Sequence, residues 1–270
     1  MIANSRILHI NSANRTGGTN SSFTYSFNLA TDEEYDRCCV LQASVPISYY
    51  LVQDGYNTFT LQEGVSTATI TVPAGNYNSR SFMTVVSGLL NTASPNGFTY
   101  AMTMNNTFSN VDDGKIYYSV SGNAGVQPDF ILAENCYEQL GFNANSSVSF
   151  SSDSLISTNV INFIPEQTLY LFSSLVKTSK NNSNGILQEL VASNDVPYSC
   201  ITYKAVDVEA YSKEISNSKT NSFTLLLQNE NGQNIDLNGR NMILSILLYK
   251  NDNFYKIAKE FMKHLLITQN

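Results

Sequence analysis

The chain has 270 residues, 42% apolar and 14% charged, with a formal net charge of −7. It is long enough to bury one large β domain or two small ones, and its acidic balance excludes nonspecific wrapping of nucleic acid outside a local basic patch. The longest apolar run, MILSILLY (242–249), is far short of the roughly 20 residues of a membrane-spanning helix.

The amino-terminal MIANSRILHI lacks the apolar centre of a signal peptide, so synthesis in the cytosol is expected. Alternation of period two then marks strands along most of the chain. ILHI (7–10) is the first. In SFTYSFNL, Phe23, Tyr25, Phe27 and Leu29 share one face. CVLQASVPI (39–47), TFTL (58–61) and ATITV (68–72) follow, then FTYAMTM (98–104) and KIYYSV (115–120). NVINFIP (159–165), TLYLFSSLV (168–176) and CITYKAVDV (200–208) come next, and two strands near 222–228 and 241–249 close the series. QDGYN, VPAGN, SPNG, DDGK, NNSNG and NGQN separate them as turns. Sixteen Tyr, fourteen Phe and no Trp suit strands. This density of short strands predicts an all-β sandwich or barrel.

Helices are few. SRSFMTVVSGLLN spaces Phe82, Val85, Val86, Leu89 and Leu90 along one helical face, with Asn78 or Ser79 as cap. AENCYEQLGF predicts a short helix ended by Gly141. In the tail, 251–270, Phe254, Ile257, Ala258, Phe261 and Leu265 form one stripe with Lys256, Lys259 and Lys263 roughly opposite. Such a helix most often packs on its own domain. The sharper alternative makes Phe254, Ile257, Phe261 and Leu265 a partner-docking stripe and Lys256, Lys259 and Lys263 a basic face. No linker divides the chain. Residues 1–250 are expected to form one domain, with an inserted loop or subdomain around 105–155 and a long Ser/Asn-rich loop at 143–154.

Near the end, FTLLLQNENGQNIDLNGRNMILSILLYK (223–250) sets two apolar runs around a polar connector. NENG and LNG are hairpin-type turn sequences, because Asn-Gly takes positive φ readily. The stretch therefore predicts two closing antiparallel strands of one sheet.

Little of this suggests catalysis. His9 and His264 are the two histidines, at opposite ends of the chain and without the carboxylate spacing of a metal site. Cys38, Cys39, Cys136 and Cys200 form no CxxC pair, and buried free thiols are expected. The carboxylates DEE (32–34) and DD (112–113) fall in predicted turns, where solvation explains them. The sequons at Asn20, Asn105, Asn145 and Asn181, and the NGR at 238–240, match what an Asn-rich chain carries by chance. No catalytic, cofactor-binding or metal-ligating residue is assigned, and no cofactor is expected.

Several segments resemble landmarks of the penton-type minor capsid proteins of virophages, polinton-like viruses and related double-stranded DNA viruses. ILHINSANRTGGTNSSFTYSFNL is similar to that family's opening strand, polar turn and Phe-alternating strand. In CVLQASVPISYYLVQDGYNTFTLQEG the match is carried by Pro46, Ser48, Tyr49, Tyr50, Asn57 and Phe59, and further on by Gly75, Asn76 and Tyr77. LGFN (140–143) and LQNENGQNIDLNGRNMILSILLY also resemble its later landmarks, although Asn241 and Met242 stand where the family often has an aromatic. The resemblance implies a single jelly-roll sandwich of about eight antiparallel core strands. It implies a penton subunit, a homopentamer at the icosahedral vertex of a virion, with major capsid protein trimers as neighbours. A host receptor is a further candidate partner, and no specific nucleic acid is expected. Two other readings compete: a jelly-roll receptor- or glycan-binding spike or lectin-like module, and a β-sandwich glycosidase with convergent carboxylates.

Overall fold

The computed structural model describes residues 2–31, 33–105, 112–133, 136–164, 166, 168–177, 185–191, 199–251 and 261. The protein is mostly β, and the chain divides into two units: unit 1 is Met1–Tyr49 with Glu166–Asn270, and unit 2 is Tyr50–Pro165.

Alternation builds the first strands of unit 1. β1 (Ile2–Asn11) turns Leu8 and Ile10 into the core and leaves Ser5, Ile7 and His9 exposed. A short 3-10 turn (Ser12–Asn14) leads to β2 (Gly17–Gly18), β3 (Ser22–Ser26) and β4 (Arg37–Pro46). The chain then enters unit 2.

Unit 2 contains β5 (Thr58–Glu63), β6 (Ser66–Thr71), α1 (Ser79–Ala93), β7 (Thr99–Asn105), β8 (Asp112–Ser121), β9 (Pro128–Leu132), α2 (Tyr137–Leu140), β10 (Ser146–Ser149) and β11 (Ser154–Ile156). One sheet has the order β10-β9-β5-β6 and another β11-β8-β7, all antiparallel. Its core gathers Phe59, Leu61, Phe82, Val86, Tyr118 and Phe130. Asn78 starts α1 through a reciprocal cap. Its side chain accepts from Ser81 N–H at 2.9 Å, and Ser81 Oγ accepts from Asn78 N–H at 3.1 Å. Phe82, Val86 and Leu90 are the face it buries. Gly141 ends α2 at φ 79°, as expected; a Cβ there would lie 2.7 Å from the Ser157 side chain.

The chain returns to unit 1 for β12 (Thr168–Ser173), β13 (Gly185–Val191), β14 (Cys200–Lys204), β15 (Lys213–Glu214), β16 (Ser222–Gln228) and β17 (Ile243–Asn251). Its first sheet has the order β1-β17-β4-β14, with β15 also on β4; its second has the order β13-β12-β16-β3-β2. Leu8, Ile10, Val45 and Ile246 of the first sheet share one apolar cluster with Phe23, Leu171, Phe223 and Leu225 of the second. Two antiparallel sheets therefore face each other across a common core.

Several expectations change. The two strands around the polar connector are not neighbours in one sheet. β16 belongs to the second sheet and β17 to the first. The turns form as expected, with Asn238 and Gly239 at φ 47° and 78°. Between them, however, Ile235 and Leu237 are buried in the shared core, so the connector crosses from one sheet to the other. Residues 159–165 were expected as a strand. In fact Asn159, Ile161 and Asn162 donate to Gly141, Gly114 and Glu138, so no single neighbouring strand takes their bonds. The insertion expected at 105–155 lies within a unit that starts at residue 50, because β5, β6, α1 and β7 contribute to the same core as β8 and β9.

The loop expected at 143–154 holds β10, paired with β9, and a two-residue turn. Ser152 and Asp153 sit at φ 50° and 62°, closed by Ser151 N–H to Ser154 O at 2.8 Å and the reciprocal bond at 3.1 Å. Both positions of such a turn favour Asn or Gly, since a side chain there crowds the backbone. Asp153 is held by Asn123 and Gln127, whereas Ser152 is exposed. Ser152→Gly should therefore raise stability by about 0.5–1 kcal/mol, read as a higher urea midpoint. An unchanged or lower midpoint would refute the strain.

Candidate functional site

The inward residues of β1, β17, β4 and β14 fill the core, so their alternates form an outer face. Register sets Ser245 opposite both His9 and Gln42, Ser44 opposite Ile243 and Thr202, and Gln42 opposite Lys204. His9 Nδ1 lies 3.2 Å from Ser245 Oγ. Gln42, Ser44, Thr202, Lys204, Ile243 and Ser245 line a groove of about 260 Å³. Ile7 and Ile243 add exposed apolar surface at 48% and 53%. This face offers amides, hydroxyls, one ammonium and two aliphatic side chains. It suits contact with another surface. It does not suit nucleophilic chemistry, because among the described residues no carboxylate orients His9, which is exposed. Beside the groove, the hydroxyl of Tyr203 is buried without a hydrogen-bond partner among the described residues, and burial raises its pKa.

The expectation of buried thiols holds for three of the four cysteines and fails for Cys200. Cys38 points into the core and Cys39 away from it, yet both are buried, as is Cys136. Burial pushes Cys38 and Cys136 up to about 12 and raises Cys39 as well. Cys200 is exposed. A thiol reagent at neutral pH should therefore modify one cysteine rapidly in the native protein and all four after denaturation. The fast phase should disappear in Cys200→Ser; its persistence there would show that a buried thiol opens.

Among the described carboxylates expected in turns, Glu33, Glu34 and Asp113 are each taken up by nearby groups. Residues 112–113, however, open β8 rather than a turn, and Asp32 and the side chain of Asp112 lie outside the described residues. Glu33 accepts from Ala30 N–H and Arg6, and Glu34 pairs with Lys250. Asp113 accepts from the Tyr117 hydroxyl at 2.6 Å and from Lys115 N–H. The Ala30 amide most strongly holds Glu33 below its ordinary pKa, Lys250 does so for Glu34, and the Tyr117 hydroxyl for Asp113. These groups support the fold above their unfolded pKa, and that support is lost as pH falls through the lowered values.

Sequence reasoning overlooked the buried carboxylate of Glu63, which is 1% exposed. Its Oε1 accepts from Ser94 Oγ at 2.6 Å and the Tyr100 hydroxyl at 2.8 Å, and its Oε2 from Asn96 N–H at 2.8 Å. Burial, then the Glu63 bond, raises the Tyr100 pKa. The signal was present in β5, where parity puts residue 63 on the same face as Phe59 and Leu61. The cluster fastens β5 to the chain leaving α1, which is a structural role.

Of the tail residues, Asn251 ends β17 and Phe261 is helical and 64% exposed; of the stripe and the basic face, Phe261 alone is described. Phe254, Ile257, Leu265, Lys256, Lys259, Lys263 and His264 lie outside the described residues. No helix among the described residues is long and apolar enough to cross a membrane, and none of their His, Cys, Asp and Glu groups is placed to hold a metal ion.

No family model matches the chain, and no curated protein does. Among solved structures it is similar to a selenomethionine-labelled mavirus penton protein, at 12% identity and a TM-score of 0.45, over 91% of this chain and 99% of that one.

Proposed function

We propose that unit 1 is a jelly roll and that the chain is a structural virion protein, a penton subunit whose five copies close an icosahedral vertex. The observation that carries this reading is the strand order of unit 1. Numbering its eight longer strands (β1, β3, β4, β12, β13, β14, β16, β17) one to eight, the first sheet runs 1-8-3-6 and the second 5-4-7-2. The first and last strands are neighbours, and consecutive strands mostly change sheet, as in the double-sheet architecture used by capsid and lectin domains. The ordered resemblance from ILHIN to the closing strand favours the capsid role over the lectin one. In this reading the protein performs no catalytic step and binds no cofactor or specific nucleic acid. It is made in the host cytosol and ends at the capsid vertex beside major capsid protein trimers, where a host receptor is within reach. Phe254, Ile257, Phe261 and Leu265 are then the candidate docking stripe for those partners, and Lys256, Lys259 and Lys263 the candidate basic face.

Light scattering across a range of concentrations tests the assembly. Five subunits of 29.8 kDa give about 150 kDa in a closed cyclic ring. A discrete trimer would point instead to a receptor-binding spike. A chain that stays monomeric even when mixed with its capsid partners would overturn the penton reading.

A further inference from the structure

Among the described residues, both edges of the first sheet of unit 1 are open: β17 is the only strand beside β1 and β4 the only strand beside β14. The phase of the ladders shows which backbone groups remain. Ser12 N–H donates to Met242 O at 3.0 Å, in register with the β1/β17 pairs. An antiparallel ladder bonds every second residue, so Ile10, Leu8 and Arg6 bond to β17. The N–H and C=O groups of Ser5, Ile7 and His9 then point outward along the edge. On β14, Ile47 N–H to Ser199 O at 2.8 Å and Ala205 N–H to Leu41 O at 2.9 Å assign Ile201 and Tyr203 to β4. Cys200, Thr202 and Lys204 are left over. All six side chains are exposed.

The two edges match. Each neighbouring pair in the sheet is antiparallel, so β14 runs opposite to β1. A second copy displaced in the plane of the sheet therefore presents its β1 antiparallel to β14. Residues that exchange both ladder bonds project to the same face, and both sets of leftover residues belong to the outer face. Joined this way, the two sheets keep their apolar faces on the same side.

We propose that copies of this chain associate head to tail by pairing β14 of one with β1 of the next, Ile7 opposite Thr202, Ser5 opposite Lys204 and His9 opposite Cys200. This register pairs the leftover groups of Cys200, Thr202 and Lys204 with those of His9, Ile7 and Ser5. Pairing β1 with β1 would leave one edge of each copy open, whereas the heterologous contact satisfies both and can close a ring. The inference names the contact through which copies meet, and to that extent rests on the pentamer reading.

Disulfide trapping tests it on the full chain. Directly bonded antiparallel partners have Cα atoms about 5.5 Å apart, within disulfide reach. Under mild oxidation His9→Cys should yield dimers, trimers and larger species on a non-reducing gel, and adding Cys200→Ser should abolish them. Ser5→Cys, opposite Lys204, should give less than a tenth as much product. Ile7→Pro removes an N–H that does not bond β17, so it should leave the circular dichroism unchanged and reduce the mass to that of the monomer. If a particle of about 150 kDa forms but His9→Cys does not cross-link, or Ile7→Pro still assembles, the contact is wrong and the pentamer stands. If cross-linked ladders form without any such particle, the contact stands and the pentamer fails. Equal trapping by Ser5→Cys, or products that stop at the dimer, would overturn the register or the head-to-tail arrangement.

Discussion

Phe130→Ala should lower the unfolding free energy by about 4 kcal/mol, the largest single effect expected for this protein. Phe130 is fully buried in unit 2 and packs edge-on against three rings: Phe59 at 5.5 Å, Tyr118 at 5.4 Å and Phe150 at 5.3 Å between centroids. Truncation removes the transfer energy of a benzyl group and leaves a cavity walled by other rings. Those rings belong to β5, β8 and the segment after β10, so the backbone has little freedom to collapse inward. Three edge-to-face contacts are lost as well, each contributing about 0.5–1.5 kcal/mol beyond its area. Phe130→Leu, which keeps much of the volume, should cost about 1–2 kcal/mol. Urea titration followed by circular dichroism and tyrosine fluorescence gives both values, the chain having no Trp. A loss below about 1.5 kcal/mol for the alanine variant would mean that the cavity closes or that this cluster does not limit stability.

Glu63→Ala should cost about 3 kcal/mol. The carboxylate is the acceptor for Ser94 Oγ, Tyr100 and Asn96 N–H, and its removal strands buried donors that no water reaches freely. Glu63→Gln is the informative companion. One amide oxygen can still accept, but the new NH₂ group must face Asn96 N–H or the hydroxyls, so about half the loss should persist. If the glutamine variant equals wild type, the charge is dispensable and two hydrogen bonds suffice. If the alanine variant equals wild type, the cluster is open to solvent and the assignment of a buried latch fails. Tyr100→Phe, which removes one donor and leaves the acceptor, should cost about 1 kcal/mol.

Strand parity explains why much of the architecture was legible. Where one face of a strand is buried and the other solvated, residues two apart share an environment, and Phe23, Phe59 and Leu61 declared their faces without any tertiary knowledge. The cap of α1 and the glycine that ends α2 were equally local. β13 was missed because the register shifts between Leu171 and Phe172 on its partner, and its own burial pattern loses the period of two at Leu187 and Gln188. β9 opens on Pro128, which also marks turns. The run at 159–165 was read as a strand from its apolar residues, but its amides bond to β8, to α2 and to the glycine that ends α2. No window of sequence contains that information.

The sequence by itself determined the all-β class, the faces of most strands, the helix caps and the turn at 238–239, because these follow from covalent geometry and from side chains within a few residues of one another. Only the tertiary structure decided that the strands on either side of 229–242 lie in different sheets, that a second unit starts at residue 50, that Glu63 is satisfied by residues more than thirty positions away, and which backbone groups stay unpaired along β1 and β14. Those outcomes depend on which distant segments meet. Hydrogen-bond phase and core sharing are properties of pairs of segments, and a single strand carries no record of its partner.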